Sequence, residues 1–399
     1  MSRRYDVIVV GCGIVGAASA WQILQRWPDC RLLMLEKESA PARHQSGRNS
    51  GVVHAGVYYP AASLKARMCR QGLRQTRNFC ESRALPFRQC GKWIVAASEG
   101  QLPGLALLQQ LAVANGLAPQ YLTQGAMREQ EPALAGVAAL AVAESAIVDY
   151  AAICRQLLAE VQAAGGDICY GAEVTAIDER TDEMVLQTRA GDYSSALLLA
   201  CAGLMSDRLA RLQGLDCDFR IVPFRGEFYR LAPRCESWLS RLVYPVPDPS
   251  LPFLGVHLTP LINGGVVAGP NAVLALAREG YRRRDVDVVT LLELLGFAGF
   301  WRLLARHGAA GLDELRSSLS KRRYLEQLQQ YCPALEVGDL MSAPAGVRAQ
   351  AVSRRGDLLQ DFVFLSSRRS VHVGNAPSPA ATSALPIGEH IAQLILQRR

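Results

Sequence analysis

The strongest constraint on the fold sits in the first 36 residues. Val7-Ile8-Val9-Val10 is an unbroken β-branched run, the pattern of a parallel strand buried on both faces. Gly11-Cys12-Gly13-Ile14-Val15-Gly16 follows at once, then a helical stretch over Ala17–Arg26, then a second strand over Arg31–Leu35 that ends at Glu36. Strand, glycine turn, helix, strand and acid together are the βαβ unit of a dinucleotide site. Gly11 permits the tight turn, Gly13 lets a pyrophosphate approach the backbone, and Gly16 lets helix and strand pack closely. The helix N-terminus, with Ile14 and Val15 just before it, offers free N–H groups and a partial positive charge to phosphates. Glu36, with Lys37 beside it, is placed to accept hydrogen bonds from both ribose hydroxyls and would repel a 2′-phosphate, which argues against NADP.

Such a turn serves NAD and FAD alike, and three further stretches separate them. Gln45-Ser46-Gly47-Arg48-Asn49-Ser50-Gly51, running into Val52, is polar and glycine-rich, suited to wrapping a pyrophosphate and ribityl chain. Leu197–Ala202 is a buried strand that ends in a small turn at Gly203. Val371-His372-Val373-Gly374-Asn375 is a strand before the small-residue turn Pro379-Ala380-Ala381-Thr382 and a last helix over Gly388–Gln397. Small residues there let a flat ring lie against backbone N–H groups. FAD fits all of these features, whereas NAD fits the first alone.

The chain resembles the FAD-dependent amine and hydroxy-acid oxidoreductases of the D-amino-acid oxidase superfamily, and within it the L-2-hydroxyglutarate dehydrogenase/oxidase family. The residues that carry the resemblance are His44–Tyr59, Val222–Tyr229, Tyr244–Pro249, Phe253–His257, Gly269–Val273 and Gly346–Gln350. It extends over essentially the whole chain. It implies an α/β fold in which a Rossmann-like FAD-binding domain, of the glutathione-reductase type 2, interleaves with a substrate domain of an antiparallel sheet plus helices. The FAD domain would take residues 1–85, 150–215 and 340–399, and the substrate domain 86–149 and 216–339. Arg220–Leu231 and Gly265–Gly269 read as strands of that antiparallel sheet, and Val286–Arg323 as helices. In this fold Val174 would cap the adenine, and Gly346 would lie beside the flavin.

The implied reaction is oxidation of (S)-2-hydroxyglutarate to 2-oxoglutarate, with hydride leaving carbon and the hydroxyl proton going to a base. Two substrate carboxylates require two clamps, and Arg offers a bidentate fork that Lys does not. Arg348 matches the family's Gly-x-Arg and is the candidate for the carboxylate beside the reacting carbon; the bland alternative is a surface ion pair. Arg225 either binds the distal carboxylate or pairs with Glu227. Tyr58, Tyr59 and Tyr229 are candidate hydroxyl donors, or packing residues. The base is His257 or His54, because imidazole titrates nearest neutrality; His54 has a rival role as a covalent flavin tether. His44 and His372 lie in FAD-proximal segments where they could merely pack, and His307 and His390 read as surface residues. No metal is implied.

The family passes electrons to a membrane quinone and, slowly, to oxygen. Val286–Arg306 combines apolar and aromatic residues at helical spacing with Arg282–Arg284 before it, which suits an interfacial membrane helix or else a core-facing helix pair. The net charge, 43 − 36 = +7, is scattered rather than concentrated in a stripe, which argues against nucleic acid and fits an anionic substrate or lipid surface. Eleven cysteines, none in a C-x-x-C pair, read as reduced buried thiols. No secretory signal is expected, and the expected location is cytoplasmic, peripheral on the inner face of the cytoplasmic membrane. Three other readings compete: a glycine- or sarcosine-type amine oxidase on the same fold, a non-catalytic flavin-binding protein, and an NAD dehydrogenase.

Overall fold

The structure, a computed structural model, describes residues 4–248 and 254–399; Met1–Arg3, and Pro249 and Phe253 of the stretches quoted above, lie outside the described residues. The elements that position the site are, in chain order, β1 (Arg4–Val10), α1 (Ile14–Arg26), β2 (Leu32–Leu35), β3 (Lys92–Ala96), α2 (Tyr150–Ala163), β4 (Gly191–Ala200), β5 (Phe219–Gly226), β6 (Tyr229–Leu231), β7 (Leu242–Pro245), α3 (Val288–Leu295), α4 (Ala298–Leu319), β8 (Gly346–Ser353), β9 (Ser370–Asn375) and α5 (Ala384–Leu396).

Two eight-stranded sheets organise the chain. In the first, β1 lies between β2 and β4, parallel to both, with Val7 opposite Leu32 and Leu197. β9 joins the other edge of β4, also parallel. Helices α1, α2 and α5 cover one face. Ala17, Ala18 and Ile23 of α1 and Ile387, Ile391 and Ile395 of α5 are fully buried there, each isoleucine contributing about 1.5–3 kcal/mol. α1 and α5 meet backbone to backbone: a Cβ on Gly388 would lie 2.7 Å from the Ala18 carbonyl carbon. α1 starts at Ile14, earlier than the sequence pattern predicts, because chain geometry after Gly13 outweighs the weak helix propensity of Ile14 and Val15. α5 likewise starts at Ala384; Pro386 falls in its first turn, where the missing N–H costs nothing.

The second sheet is mixed rather than antiparallel: β3 and β7 pair in parallel, with Lys92 opposite Leu242 and Ile94 opposite Tyr244. The expected single strand over 220–231 is two. Glu227 and Phe228 break it, so β6 joins this second sheet while β5 forms a separate three-stranded sheet with β8. α3 and α4 meet at 82°. Leu294, Phe297, Phe300 and Leu303 turn inward against Val222 and Val352, while Val288, Leu292, Leu295 and Trp301 are 66%, 65%, 52% and 52% exposed. Among the described residues no single helix is long and apolar enough to cross a membrane.

Candidate active site

A cavity of about 1080 Å³ runs from the glycine turn after β1 to residues of the second sheet. Its first end is the turn itself. Gly11 has φ +101°, and a Cβ there would meet the Cys201 carbonyl oxygen at 2.4 Å; a Cβ on Gly16 would sit 2.0 Å from the Gly11 oxygen. Strand-end and helix therefore touch only because neither residue has a side chain. Gly13, the N-cap of α1, provides no side-chain cap. Ser46 Oγ accepts from Ile14 N at 2.9 Å, and Gly13, Ile14, Val15 and Gly16 all line the cavity. Glu36 is buried on the cavity wall and accepts from Cys12 N at 2.8 Å and Glu38 N at 3.0 Å, which fixes its carboxylate at the head of β2. Lys37 lines the cavity and ion-pairs with Glu279.

The middle is walled by Gln45, Ser46, Arg48, Asn49, Ser50 and Val52, by Val174, by Ala202 and Gly203, and by Gly346 and Pro379–Thr382. Gln45 Oε1 accepts from Ala349 N at 3.1 Å, tying the loop to β8. Arg48 stacks over Tyr281, its guanidinium carbon 3.8 Å from the ring centroid. Gly51 departs from expectation. It is not on the cavity wall; its φ of +72° and the Val148 oxygen, 2.4 Å from a Cβ built there, make it a turn residue. Thr382 Oγ1 accepts from His54 N at 3.1 Å and bonds the Tyr150 hydroxyl at 3.0 Å, so the small-residue turn holds the His54 backbone.

The far end gathers His54, Tyr58, Tyr59, Lys65, Tyr244, His257 and Arg348. His257 Nδ1 lies 3.1 Å from the Gly255 oxygen. A carbonyl can only accept, so Nδ1 carries the proton and Nε2 keeps its lone pair. Burial drives the imidazole pKa down to about 3; the Gly255 bond opposes the shift, and Lys92 and Arg348 reinforce it. Burial also holds His54 well below the ordinary histidine value, with Lys92, His257 and Lys65 adding to the effect. Both histidines are therefore neutral, as a base must be. Burial raises Tyr58 and Tyr59 well above the usual phenol value, leaving both as protonated donors. The Tyr58 hydroxyl is buried without a hydrogen-bond partner among the described residues. Arg348 projects from β8 and is buried enough to lower its pKa from the usual arginine value.

Two expected substrate residues are elsewhere. Arg348 pairs with Phe224 across β8 and β5, so Arg225, one residue on, points to the opposite face. It donates to the Arg282 oxygen and to Glu227, both at 3.2 Å, and Glu227 is further held by Arg283 and Ser318. Tyr229 lies on β6 outside the cavity, edge-on to Tyr324 with ring centroids 4.8 Å apart. Of the other histidines, His44 bonds Tyr281 and Glu38 on the wall, while His372 bonds Gln213 in the first sheet. His307 and His390 are half-buried, His390 against Phe364. Tyr150, Lys65 and Tyr244 also line the cavity, beyond the residues that the sequence singles out. Tyr244 lies in the stretch Tyr244–Pro249, and its register opposite β3 is what brings it to the cavity.

The wall fits FAD. A long, continuous cavity joins a glycine-turned helix N-terminus, a fixed carboxylate, a carpet of small residues and a polar far end, as a dinucleotide bearing a flat redox ring requires. The FAD-dependent oxidoreductase family matches the chain over residues 6–394. The L-2-hydroxyglutarate dehydrogenase of Salmonella houtenae is 49% identical over 392 residues, 98% of this chain and 93% of that protein. The mitochondrial L-2-hydroxyglutarate dehydrogenase of Homo sapiens is 37% identical over 415 residues, 100% and 90% of the two chains. Among solved structures, FAD-bound L-α-glycerophosphate oxidase from Mycoplasma pneumoniae superposes with a TM-score of 0.81 at 22% identity, covering 99% of this chain and 95% of that one. Glycine oxidase from Geobacillus kaustophilus gives a TM-score of 0.72 at 18% identity, covering 100% and 96%.

Proposed function

Because the chain belongs to the FAD-dependent oxidoreductase family, we propose that it uses FAD to oxidise (S)-2-hydroxyglutarate to 2-oxoglutarate. Bound FAD supplies the two-electron acceptor for the hydride that leaves C2. The chain supplies the rest. Arg348 holds the carboxylate next to C2, which sets the C2–H and C2–OH directions. His257 Nε2 receives the hydroxyl proton as the C–H and O–H bonds break and the C=O bond forms. Two cationic side chains, Arg348 and Lys92, act on His257 and lower its proton affinity. Substrate carboxylates neutralise that field, so the imidazole becomes a stronger base when substrate is in place. Tyr58 and Tyr59 donate to substrate oxygens.

The observation that carries this reading is the contact of His257 Nδ1 with the Gly255 carbonyl, which leaves Nε2 as an acceptor in the same cavity as the half-buried Arg348 guanidinium and a dinucleotide turn. The relatives of that name, similar over nearly their whole length, select the hydroxy acid. The electron acceptor in this reading is a membrane quinone, with oxygen a slow substitute. The protein would meet that quinone at the inner face of the cytoplasmic membrane through residues 286–306. The outward apolar side chains of α3 and α4, with Arg282–Arg284 before them, support this docking.

The test is anaerobic bleaching of the holoprotein's flavin absorbance by (S)-2-hydroxyglutarate, (R)-2-hydroxyglutarate, sarcosine and D-alanine, each alone. Bleaching by the (S)-hydroxy acid alone is the expected result. Bleaching by an amine instead would move the protein to the amine oxidases of the same fold.

A further inference from the structure

Arg225 is turned away, which leaves two lysines near this end for the substrate's second carboxylate: Lys65, on the wall but donating to the Gln360 oxygen at 2.9 Å, and Lys92. Lys92 heads β3, an otherwise apolar strand, and is only 2% exposed. Its parallel register against β7 places it on the same sheet face as Tyr244, and its Nζ lies 3.9 Å from the Tyr244 ring centroid. The Tyr58 ring centroid is 5.3 Å away. Both rings line the cavity, and Lys92 lies directly behind them rather than on the wall itself. His257 stacks on Tyr244 with centroids 3.9 Å apart and planes 16° from parallel, so it takes one ring face and Lys92 the other.

Among the described residues Lys92 has no carboxylate and no hydrogen-bond acceptor, only these two ring faces. A cation–π contact contributes about 2 kcal/mol when desolvated, whereas removing an ammonium from water costs several kcal/mol more. A buried cation left in that state marks a place where an anion completes the site. The Tyr58 hydroxyl is likewise buried and, among the described residues, without a partner. Burial lowers the Lys92 pKa to about 7, so the ammonium gains most from an incoming negative charge.

We infer that Lys92 binds the distal carboxylate of the substrate and thereby selects dicarboxylic over monocarboxylic 2-hydroxy acids. The inference rests on the functional reading above. Arg348 and Lys92 then clamp the two ends of one dianion from two different sheets, with the Tyr244–His257 stack between them.

The experiment compares (S)-2-hydroxyglutarate with (S)-2-hydroxypentanoate, in which a methyl group replaces the distal carboxylate, on holoenzyme. In Lys92→Met, kcat/KM for the diacid is expected to fall by about 30-fold or more, chiefly through KM. The loss on the monoacid, for which only the effect of Lys92 on His257 remains, is expected to be at least about tenfold smaller, and flavin absorbance to stay that of the parent. An equal loss on both substrates, or no loss on the diacid, overturns the inference. Should Lys92→Met lose FAD, the unaltered holoenzyme decides: glutarate is expected to inhibit at least about tenfold more tightly than pentanoate, and equal inhibition overturns the inference. Lack of any oxidation of (S)-2-hydroxyglutarate by the parent enzyme would instead overturn the functional reading, and this inference with it.

Discussion

Tyr244 and His257 are stacked nearly in parallel, their ring centroids 3.9 Å apart. With the Gly255 carbonyl holding Nδ1, the stack leaves the imidazole one orientation and one free nitrogen. His257→Ala should therefore lower turnover by ~10²–10⁴, the usual size of a general acid–base contribution. Flavin content should not change. Single-turnover bleaching measures both, and a loss below about threefold would take His257 out of the chemistry and leave His54 as the base.

Arg348→Ala should raise KM for (S)-2-hydroxyglutarate and lower kcat together, because the same contact binds and orients. The expected loss in kcat/KM corresponds to about 2–5 kcal/mol, as for other buried charge pairs cut on one side. Steady-state kinetics with an artificial acceptor reads it. Loss of FAD from the variant would show that Arg348 supports the fold instead.

Arg225→Ala predicts the reverse pattern. The residue pairs with Glu227, at 7% and 12% side-chain exposure, and does not reach the cavity. Because Arg283 and Ser318 still hold Glu227, the loss of this buried, hydrogen-bonded guanidinium costs about 1–3 kcal/mol of stability. The urea midpoint should drop while turnover stays within about threefold. A large kinetic defect at unchanged stability would contradict the assignment.

Acid should destabilise the holoprotein. Burial lowers His257 to about 3 and His372 to about 4, against 6.5 for an unperturbed histidine. Between those values the unfolded chain binds protons that the folded chain does not. The stabilisation is complete above about 6.5 and is lost as pH falls through 6.5 toward 3. Lys92, lowered from 10.5 to about 7, has the same sign at higher pH. Urea midpoints should thus rise from pH 5 to pH 8; a level profile would mean that these groups stay solvated.

Leu292→Glu tests the membrane surface. Leu292 is 65% exposed on α3, so the substitution should leave fold and dye-linked turnover unchanged. Flotation with vesicles of anionic lipid should be lost or strongly weakened. Equal flotation of parent and variant would place any membrane contact elsewhere.

The nucleotide end was legible because it depends on local geometry. Gly11, Gly16 and Glu36 do their work within one βαβ unit, and spacing along the chain reveals it. The substrate end depends on pairings between distant segments. Lys92 reads as an ordinary charged residue before an apolar strand until β3 is seen to pair with β7, some 150 residues later. Arg225 sits in the right motif, but strand alternation puts it on the wrong face, and the sequence does not say which of Phe224 and Arg225 faces Arg348. The two-residue interruption at Glu227 and Phe228 has the same origin. Both neighbouring segments have strand composition, and only tertiary packing divides them between sheets.

The backbone contact between α1 and α5 also sets an order of assembly. α1 leaves the ribosome long before α5, the helix that covers its apolar face and ends at Leu396. At ~5–20 residues per second, that face waits roughly 20–70 s for its partner. The dinucleotide turn is thus made well before the helix that closes it. A nascent or C-terminally shortened chain exposes the alanine-rich side of α1, and chaperones and proteases would meet it there before any flavin is retained.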